Sequence, residues 1–263
     1  MSKTDVSWDF TGKTVIVTGG TRGIGRAIAE AFLAAGANVA ICGRTAPDDL
    51  PEAGGRAARF WPCDVRDAAA CKDFAGAVAE AFGGIDVLVN NAGGSPNVEA
   101  ATVSPRFTEA IIALNLTAPI HMAQAVHPWL AERGGSVLNI ASVSAIRPSP
   151  GTAAYGAAKA GLLGLTKSLA QEWGPAVRVN ALVVGMIATG HAAETYGSQA
   201  AQDEIAAAIG LKRLGRAPDI AGAALFMASS AAGFISGASL EVHGGDERPL
   251  FQDILHRHAG TTE

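Results

Sequence analysis

TGGTRGIG, residues Thr18 to Gly25, follows directly on the short apolar run Thr14 to Val17 and leads straight into a segment of helical periodicity from residue 24 to 35. A strand, a glycine-rich turn and a helix in that order predict the first half of a βαβ unit. Gly19, Gly23 and Gly25 allow a tight turn, close approach of backbone to a pyrophosphate, and close packing of helix on strand. The amides at the helix start then face the phosphates with the positive end of the helix dipole. A bare GxxxGxG also occurs in ordinary strand-to-helix turns. Its position after the first strand of a repeating pattern points to dinucleotide binding.

Outward from that turn the pattern repeats. Further short apolar runs lie at Asn38 to Cys42, Arg59 to Cys63, Ile85 to Val89, Ser136 to Ile140, Val177 to Leu182 and Ala238 to Val242. They are often β-branched and unbroken by polar residues, as strands buried on both faces are. Helical periodicity fills the intervals near residues 67–82, 105–131, 152–173 and 217–229. Alternation of this kind predicts a single Rossmann-type, doubly wound α/β domain over residues 1–263, with a seven-stranded parallel sheet flanked by helices. Gly185 to Gly215 breaks the rhythm and reads as a substrate loop with one short helix. The tail, Pro249 to Glu263, carries Phe251 and Leu255 amid charges; it either folds over a neighbour's active site or stays disordered.

Composition narrows the class. In 263 residues 49% are hydrophobic and 17% charged, which suits a large buried core. A net charge of −4 supplies no basic footprint for nucleic acid. There is no signal core at the start and no uninterrupted apolar stretch of membrane-spanning length, so a cytoplasmic protein with neither nucleic-acid nor membrane partner is expected. Cys42, Cys63 and Cys71 are odd in number and lack CxxC spacing, so they read as buried free thiols. No histidine motif suggests a metal. His256 and His258 read as part of a solvated tail.

The end of the second strand bears on the cofactor, because an acid there would bond the ribose hydroxyls of NAD and repel a 2′-phosphate. Here the residues are Ile41, Cys42, Gly43 and Arg44. Arg44, with Arg22 in the glycine turn, favours NADP(H), with NAD(H) as the alternative in which Arg44 only stacks on adenine. Asp64 closes the third strand, where it can accept from the adenine amino group. Asn90, Asn91, Ala92 and Gly93 end the fourth strand in an amide-rich turn. Asn115 stands inside a helix, a poor place for asparagine on propensity alone. Ser142 lies just past the fifth strand. Tyr155 and Lys159, in YGAAK, are one helical turn apart on one face. A solvated face is the plain reading of that pair; the chemical one is a phenol whose pKa a neighbouring ammonium draws down.

Taken together, TGGTRGIG, Asp64, NNAG, Asn115, Ser142 and YGAAK resemble, in order and spacing over residues 12–246, the compact branch of the short-chain dehydrogenase/reductase family. The resemblance implies a catalytic tetrad of Asn115, Ser142, Tyr155 and Lys159, and a homotetramer built through the helices carrying Asn115 and Tyr155 and through the last strand. It implies that Ser142 bonds a substrate carbonyl and Tyr155 protonates the developing alkoxide. Lys159 would hold the nicotinamide ribose, and Asn115 a water leading from Lys159 to solvent. Thr21, Ile24, Val65, Gly185, Ile187 and Thr189 join the cofactor contacts by the same resemblance. One departure stands out: Val184 occupies the place of the family's usual proline before Gly185, which puts the start of the substrate loop in question.

Candidate substrate contacts are Gly94, Ser95, Ser144, Ala145, Ile146, Arg147, Val184, Met186 and His191, with Tyr196 on the lid. Small and apolar positions dominate, as a small-molecule pocket for an alicyclic, steroid-like or acyl-thioester ketone requires. Arg147 reads either as an attractor of a carboxylate or CoA phosphate or as a surface charge. VNALVVGM and LEVHGGDE are also similar to actinobacterial members linked to steroid-ring or acyl-CoA breakdown. The competing functions are a 3-oxoacyl carrier-protein reductase and a nucleotide-sensing regulator without chemistry; the unbroken tetrad argues against the latter.

Overall fold

The computed structural model describes residues 7–190 and 192–258. Seven strands form one sheet: β1 Thr14–Thr18, β2 Asn38–Gly43, β3 Arg59–Pro62, β4 Val87–Asn90, β5 Ser136–Ile140, β6 Arg178–Val184 and β7 Ser239–Val242. Their order is β7-β6-β5-β4-β1-β2-β3, and every neighbouring pair is parallel. Strand order therefore runs away from β1 in two directions. Loops leaving β1 and β4 turn to opposite faces and open a crevice at the carboxyl ends of the strands.

Helices cover both faces. On one, Ile28, Phe32 and Leu33 of α1 (Gly23–Ala34) meet Ile220, Ala224 and Leu225 of α8 (Ala217–Ala228) over Val15, Val17 and Ile41. On the other, Phe74 and Val78 of α2 (Ala68–Phe82) and Met122 and Val126 of α4 (Ala118–Arg133) cover Ile16, Leu88 and Val137. Alternation of Val15, Ile16 and Val17 between the two faces is the strand period of two. Both faces are apolar because both are covered, so β1 and β5 are buried from end to end. Each large side chain so buried contributes roughly 1.5–3 kcal/mol.

Four features differ from the sequence expectation. The helix expected over 105–131 is α3 (Pro105–Ile112), a π-helical turn (Ala113–Thr117) and α4. The loop after β6 holds two helices, α6 (Ala192–Tyr196) and α7 (Gln199–Ala208), because Ser198 breaks the run and caps α7 by accepting from the Ala201 amide. Ile187–Ala188 in that loop pairs with Gly215–Arg216. A small hairpin, Glu52–Ala53 with Arg56–Ala57, turns on Gly54 and Gly55, both at positive φ; the Gly-Gly pair is its sequence signal.

Helix α5 (Ala153–Trp173) lies in the chain between β5 and β6. The chain's last described element is α9 (Leu250–His258), so the front of the tail is helical and residues 259–263 lie outside the described residues. Among the described residues no helix is long and apolar enough to cross a membrane.

Candidate active site

The glycine turn and the NNAG turn are locked together at the crevice. Asn91 Nδ2 donates to the carbonyls of Thr18 (2.9 Å) and Gly19 (3.2 Å), while Thr18 Oγ1 accepts from the Asn91 and Ala92 amides, each at 3.0 Å. Gly25 lies so close that a Cβ there would fall 2.4 Å from Asn91 Nδ2 and 2.5 Å from the Gly19 carbonyl oxygen. Gly25→Ala is therefore expected to force the turn open, costing about 1–3 kcal/mol by overpacking and weakening dinucleotide affinity at least about tenfold. Urea unfolding and a fluorescence titration check the two effects; unchanged affinity would mean the turn does not hold the ligand.

A cleft of about 650 Å³ runs from this turn to Tyr155. Gly19, Thr21, Arg22, Gly23, Ile24, Gly25 and Arg44 line one end; Asn91, Ala92, Gly93, Gly94, Ser142, Tyr155, Lys159, Val184, Gly185, Ile187, Thr189 and Tyr196 line the rest. Asp64 and Val65 line an adjoining pocket of about 150 Å³ beside Gly43 and Arg44. Arg66 forks onto Asp64, with Nε 2.9 Å from Oδ1, and holds that carboxyl down at about 2. The residues expected to touch a dinucleotide thus line two neighbouring pockets that share Gly19, Gly43, Arg44, Ala92 and Leu114.

Asn115 explains the π-helical turn. Its Nδ2 donates to the Ile111 carbonyl (2.9 Å), so the side chain competes with the helix backbone. The same amide group brackets Gly94, donating to its carbonyl at 3.0 Å and accepting from its N–H at 2.9 Å. Gly93 sits against both Asn115 and Lys159: a Cβ on it would be 2.7 Å from Asn115 Oδ1 and 3.2 Å from Lys159 Nζ. Lys159 is 3% exposed, and its ammonium donates to the Ile140 carbonyl at 2.7 Å. Ser142 Oγ accepts from the Ser144 amide at 3.2 Å, and its hydroxyl also bears on the Tyr155 phenol.

The electrostatics correct the expected tuning of Tyr155. Its phenol is pushed up from its ordinary value, by burial first, with the Ser142 hydroxyl pulling the other way. Lys159 Nζ is 5.6 Å from the tyrosine ring centroid and spends a hydrogen bond on Ile140. Burial also lowers Lys159 itself to about 8, so desolvation sets the direction of both displacements.

Substrate candidates divide. Gly94, Val184 and Tyr196 line the cleft. Tyr196 Oη accepts from the Ile187 amide at 3.0 Å. Val184 completes β6 opposite Val242, so the place of the family's proline is regular strand here. Ser95, Ser144, Ala145 and Ile146 are not in the lining: Ser144 Oγ pairs with Ser149 Oγ at 3.0 Å, and Ile146 is exposed. Met186 lines a separate pocket with Leu211 and Ile220. Arg147 is not in the lining, and Glu247 and Asp246 hold its guanidinium. His191 lies outside the described residues.

Sequence reasoning passed over Thr18, although it opens the quoted turn, and the buried relay Asn90 Nδ2 to Asn139 Oδ1 (3.0 Å) and Asn139 Nδ2 to Thr166 Oγ1 (2.9 Å), which ties β4 and β5 to α5. It also missed Leu114, Ala141 and Thr195 in the lining. None of these carries a spacing signal.

Comparison with known proteins agrees with this geometry. The family described as enoyl-(acyl carrier protein) reductase matches residues 19–246. A 3-oxoacyl-(acyl-carrier-protein) reductase of Chlamydia trachomatis is 37% identical over 245 residues, 89% of this chain and 96% of that protein. A 3alpha-hydroxysteroid dehydrogenase of Mediterraneibacter gnavus is 36% identical over 242 residues, 88% of this chain and 96% of that protein. The structure of aldohexose dehydrogenase from Thermoplasma acidophilum superposes with a TM-score of 0.83 at 32% identity, covering 90% of this chain and 94% of that one. With the parallel sheet, the glycine turn and the cleft holding Ser142, Tyr155 and Lys159, these similarities show that the chain belongs to the short-chain dehydrogenase/reductase family.

Proposed function

We propose that this oxidoreductase uses NADP(H) and moves hydride between the nicotinamide and a ketone or secondary alcohol on an apolar substrate. The observation that carries the reading is that Ser142, Tyr155 and Lys159 face the same cleft as the glycine turn. The cleft fits a dinucleotide: the start of α1 has no side-chain cap on its amides, and among the described residues no acidic one lines the cleft. When bound there, the nicotinamide supplies or accepts the hydride.

The residues divide the remaining work. Ser142, oriented by the Ser144 amide, donates to the substrate oxygen and stabilises charge developing on it. Tyr155, kept protonated by burial, delivers its phenolic proton to that oxygen in the reducing direction. Lys159 orients the cofactor's ribose and keeps a positive charge beside the proton path. Asn115 is a positioning residue that holds the Gly93–Gly94 backbone against Lys159.

Preference for the 2′-phosphate rests on Arg44 and Arg22 at the end of β2 and in the glycine turn. The acid in the adjoining pocket, Asp64, is engaged by Arg66. Arg44→Ala is expected to lower kcat/KM for NADPH by about tenfold or more, the worth of a charge-assisted hydrogen bond, while leaving NADH nearly unaffected. Wild-type kcat/KM favouring NADH would overturn the assignment.

Ile140, Ala141, Val184 and Ile187 make the wall around Tyr155 apolar, which favours a hydrophobic ketone over a polyol. NADPH oxidation across ketosteroids, bicyclic ketones and 3-ketoacyl-CoA thioesters tests this; turnover confined to sugars would reject it. A carrier-protein thioester is the second reading, favoured by the similarity to the Chlamydia reductase. Assays with the same ketoacyl group on carrier protein and on CoA separate the two. We further propose a homotetramer, supported by the exposed Phe234 and by Leu240 on the edge strand β7.

A further inference from the structure

We propose that Arg147, Asp246 and Glu247 form a clasp that holds the substrate loop to the turn carrying Ser142, which makes Arg147 and Glu247 positioning residues for the ketone. The inference rests on the reading of Ser142 and Tyr155 as the groups that meet the substrate oxygen.

The clasp joins stretches far apart in the chain. Ser142 opens a tight turn in which the Ala145 amide donates to the Ser142 carbonyl at 2.9 Å and the Ile146 and Arg147 amides donate to the Val143 carbonyl, each at 3.1 Å. Arg147 thus ends the turn that Ser142 begins. Its guanidinium forks onto Glu247, Nη1 donating to Oε2 and Nη2 to Oε1, the second at 3.0 Å; Nη1 also meets Asp246 Oδ1 at 3.0 Å. A planar fork held by two carboxylates fixes direction as well as distance.

Both carboxylates stand on the segment that receives the substrate loop. Beyond α7 the loop returns alongside residues 244–248, where the Gly210 amide donates to the Asp246 carbonyl (3.1 Å), the Leu211 amide to the Gly244 carbonyl (2.8 Å) and the Arg248 amide to the Ala208 carbonyl (3.1 Å). Ile209 pairs antiparallel with Glu247. A Cβ on Gly210 would fall 2.9 Å from the Gly244 carbonyl oxygen, so the two stretches lie backbone against backbone. The outgoing leg of the loop is held by the pairing of Ile187–Ala188 with Gly215–Arg216 and by Tyr196 Oη on the Ile187 amide. Between the anchored legs lie α6 and α7, and α6 brings Tyr196 to the cleft. Through Arg147 the return leg is tied to the Ser142 turn.

Isolated surface ion pairs contribute little, but this one is forked, partly buried and shared by two carboxylates. Asp246 has a φ of +57°, a left-handed conformation that a side chain enters at a cost and keeps where its surroundings hold it. The Glu247 charge also reaches the lid: burial first raises the Tyr196 phenol, the Ile187 amide opposes, and Glu247 adds to the rise. The clasp therefore lies between the Ser142 turn and the lid tyrosine, and its closure sets the width of the ketone's end of the cleft.

The test measures steady-state kinetics and NADP+ affinity in Arg147→Met, Glu247→Gln and the double variant, on a ketone the wild type turns over. Ketone KM is expected to rise about tenfold in each single variant, with kcat lowered no more than about threefold and NADP+ affinity within about twofold of wild type. The double variant should match Arg147→Met instead of multiplying the two losses, because both substitutions remove one contact. In Glu247→Gln the Gly210, Leu211 and Arg248 amides should exchange hydrogen at least about tenfold faster, with those of β5 unchanged. Unchanged ketone KM in Glu247→Gln, multiplied losses in the double variant, or a parallel loss of NADP+ affinity would overturn the proposal. If Arg147→Met does not fold, Glu247→Gln, which keeps the side chain's shape, decides by its KM and its exchange rates. Ser142→Ala, expected to lower kcat about 10²-fold, separates the two readings. Near-normal kcat there rejects the site and the clasp with it; a lowered kcat there beside unchanged ketone KM in Glu247→Gln rejects the clasp alone.

Discussion

Tyr155→Phe is expected to lower kcat by at least about 10²-fold, the usual worth of general acid catalysis, with little change in dinucleotide affinity. The substitution removes one oxygen from a half-buried ring and leaves helix α5 intact. Phenylalanine cannot supply a proton to the developing alkoxide, and the Ser142 hydroxyl alone stabilises charge without neutralising it. Steady-state kinetics with NADPH and a turned-over ketone, paired with a cofactor titration, measures both quantities. Near-normal turnover in the variant would remove Tyr155 from the mechanism. Because burial keeps the wild-type phenol protonated, reduction should be supported at neutral pH, whereas alcohol oxidation, which needs the phenolate as base, should speed up as pH rises.

Lys159→Met should separate activity from stability. Loss of the ammonium beside the proton path is expected to cost about 10²-fold or more in kcat/KM. Stability should move in the opposite direction at pH 7. Burial lowers Lys159 from an ordinary value of 10.5 to about 8, so at neutral pH the folded protein carries a desolvated charge that the unfolded chain does not. Each unit of that displacement corresponds to about 1.4 kcal/mol, partly offset by the Ile140 carbonyl, which loses its donor at a cost of about 1–3 kcal/mol. A net gain on the order of 1 kcal/mol is expected. Between about pH 8 and 10.5 the unfolded chain retains the proton that the folded chain has shed, so wild-type stability gains this contribution as pH rises. The advantage of Lys159→Met should therefore shrink across that window. Chemical denaturation of both proteins at pH 7 and pH 10 checks it; a variant less stable than wild type at pH 7 would show that the hydrogen bond to Ile140 outweighs the burial penalty.

How legible the site was depended on how local its signals are. Gly19, Gly23 and Gly25 were readable because strand, turn and helix are adjacent in the chain. Asn115 was suspicious from propensity alone, but the π-helical turn follows from its side chain reaching Ile111 and Gly94, and the second contact spans 21 residues. Ser95, Ser144 and Arg147 lie within five residues of cleft residues in sequence yet are not in the lining, since a loop's side-chain directions are not periodic.

By itself the amino-acid sequence determined the order of strands and helices, the doubly wound sheet, the dinucleotide turn and the Tyr155–Lys159 pair. Periods of two and 3.6 residues, glycine freedom and one-turn spacing are all short-range properties of the chain. Tertiary structure alone decided the balance of charge and the boundary of the pocket. Arg147 meets Glu247 across 100 residues of chain, and that ion pair occupies its guanidinium. Tyr155 and Lys159 are one turn apart in any helix, yet the sign of each one's pKa displacement came from how much protein surrounds it. Burial is a sum over neighbours brought together by the whole fold, and no local pattern encodes that sum.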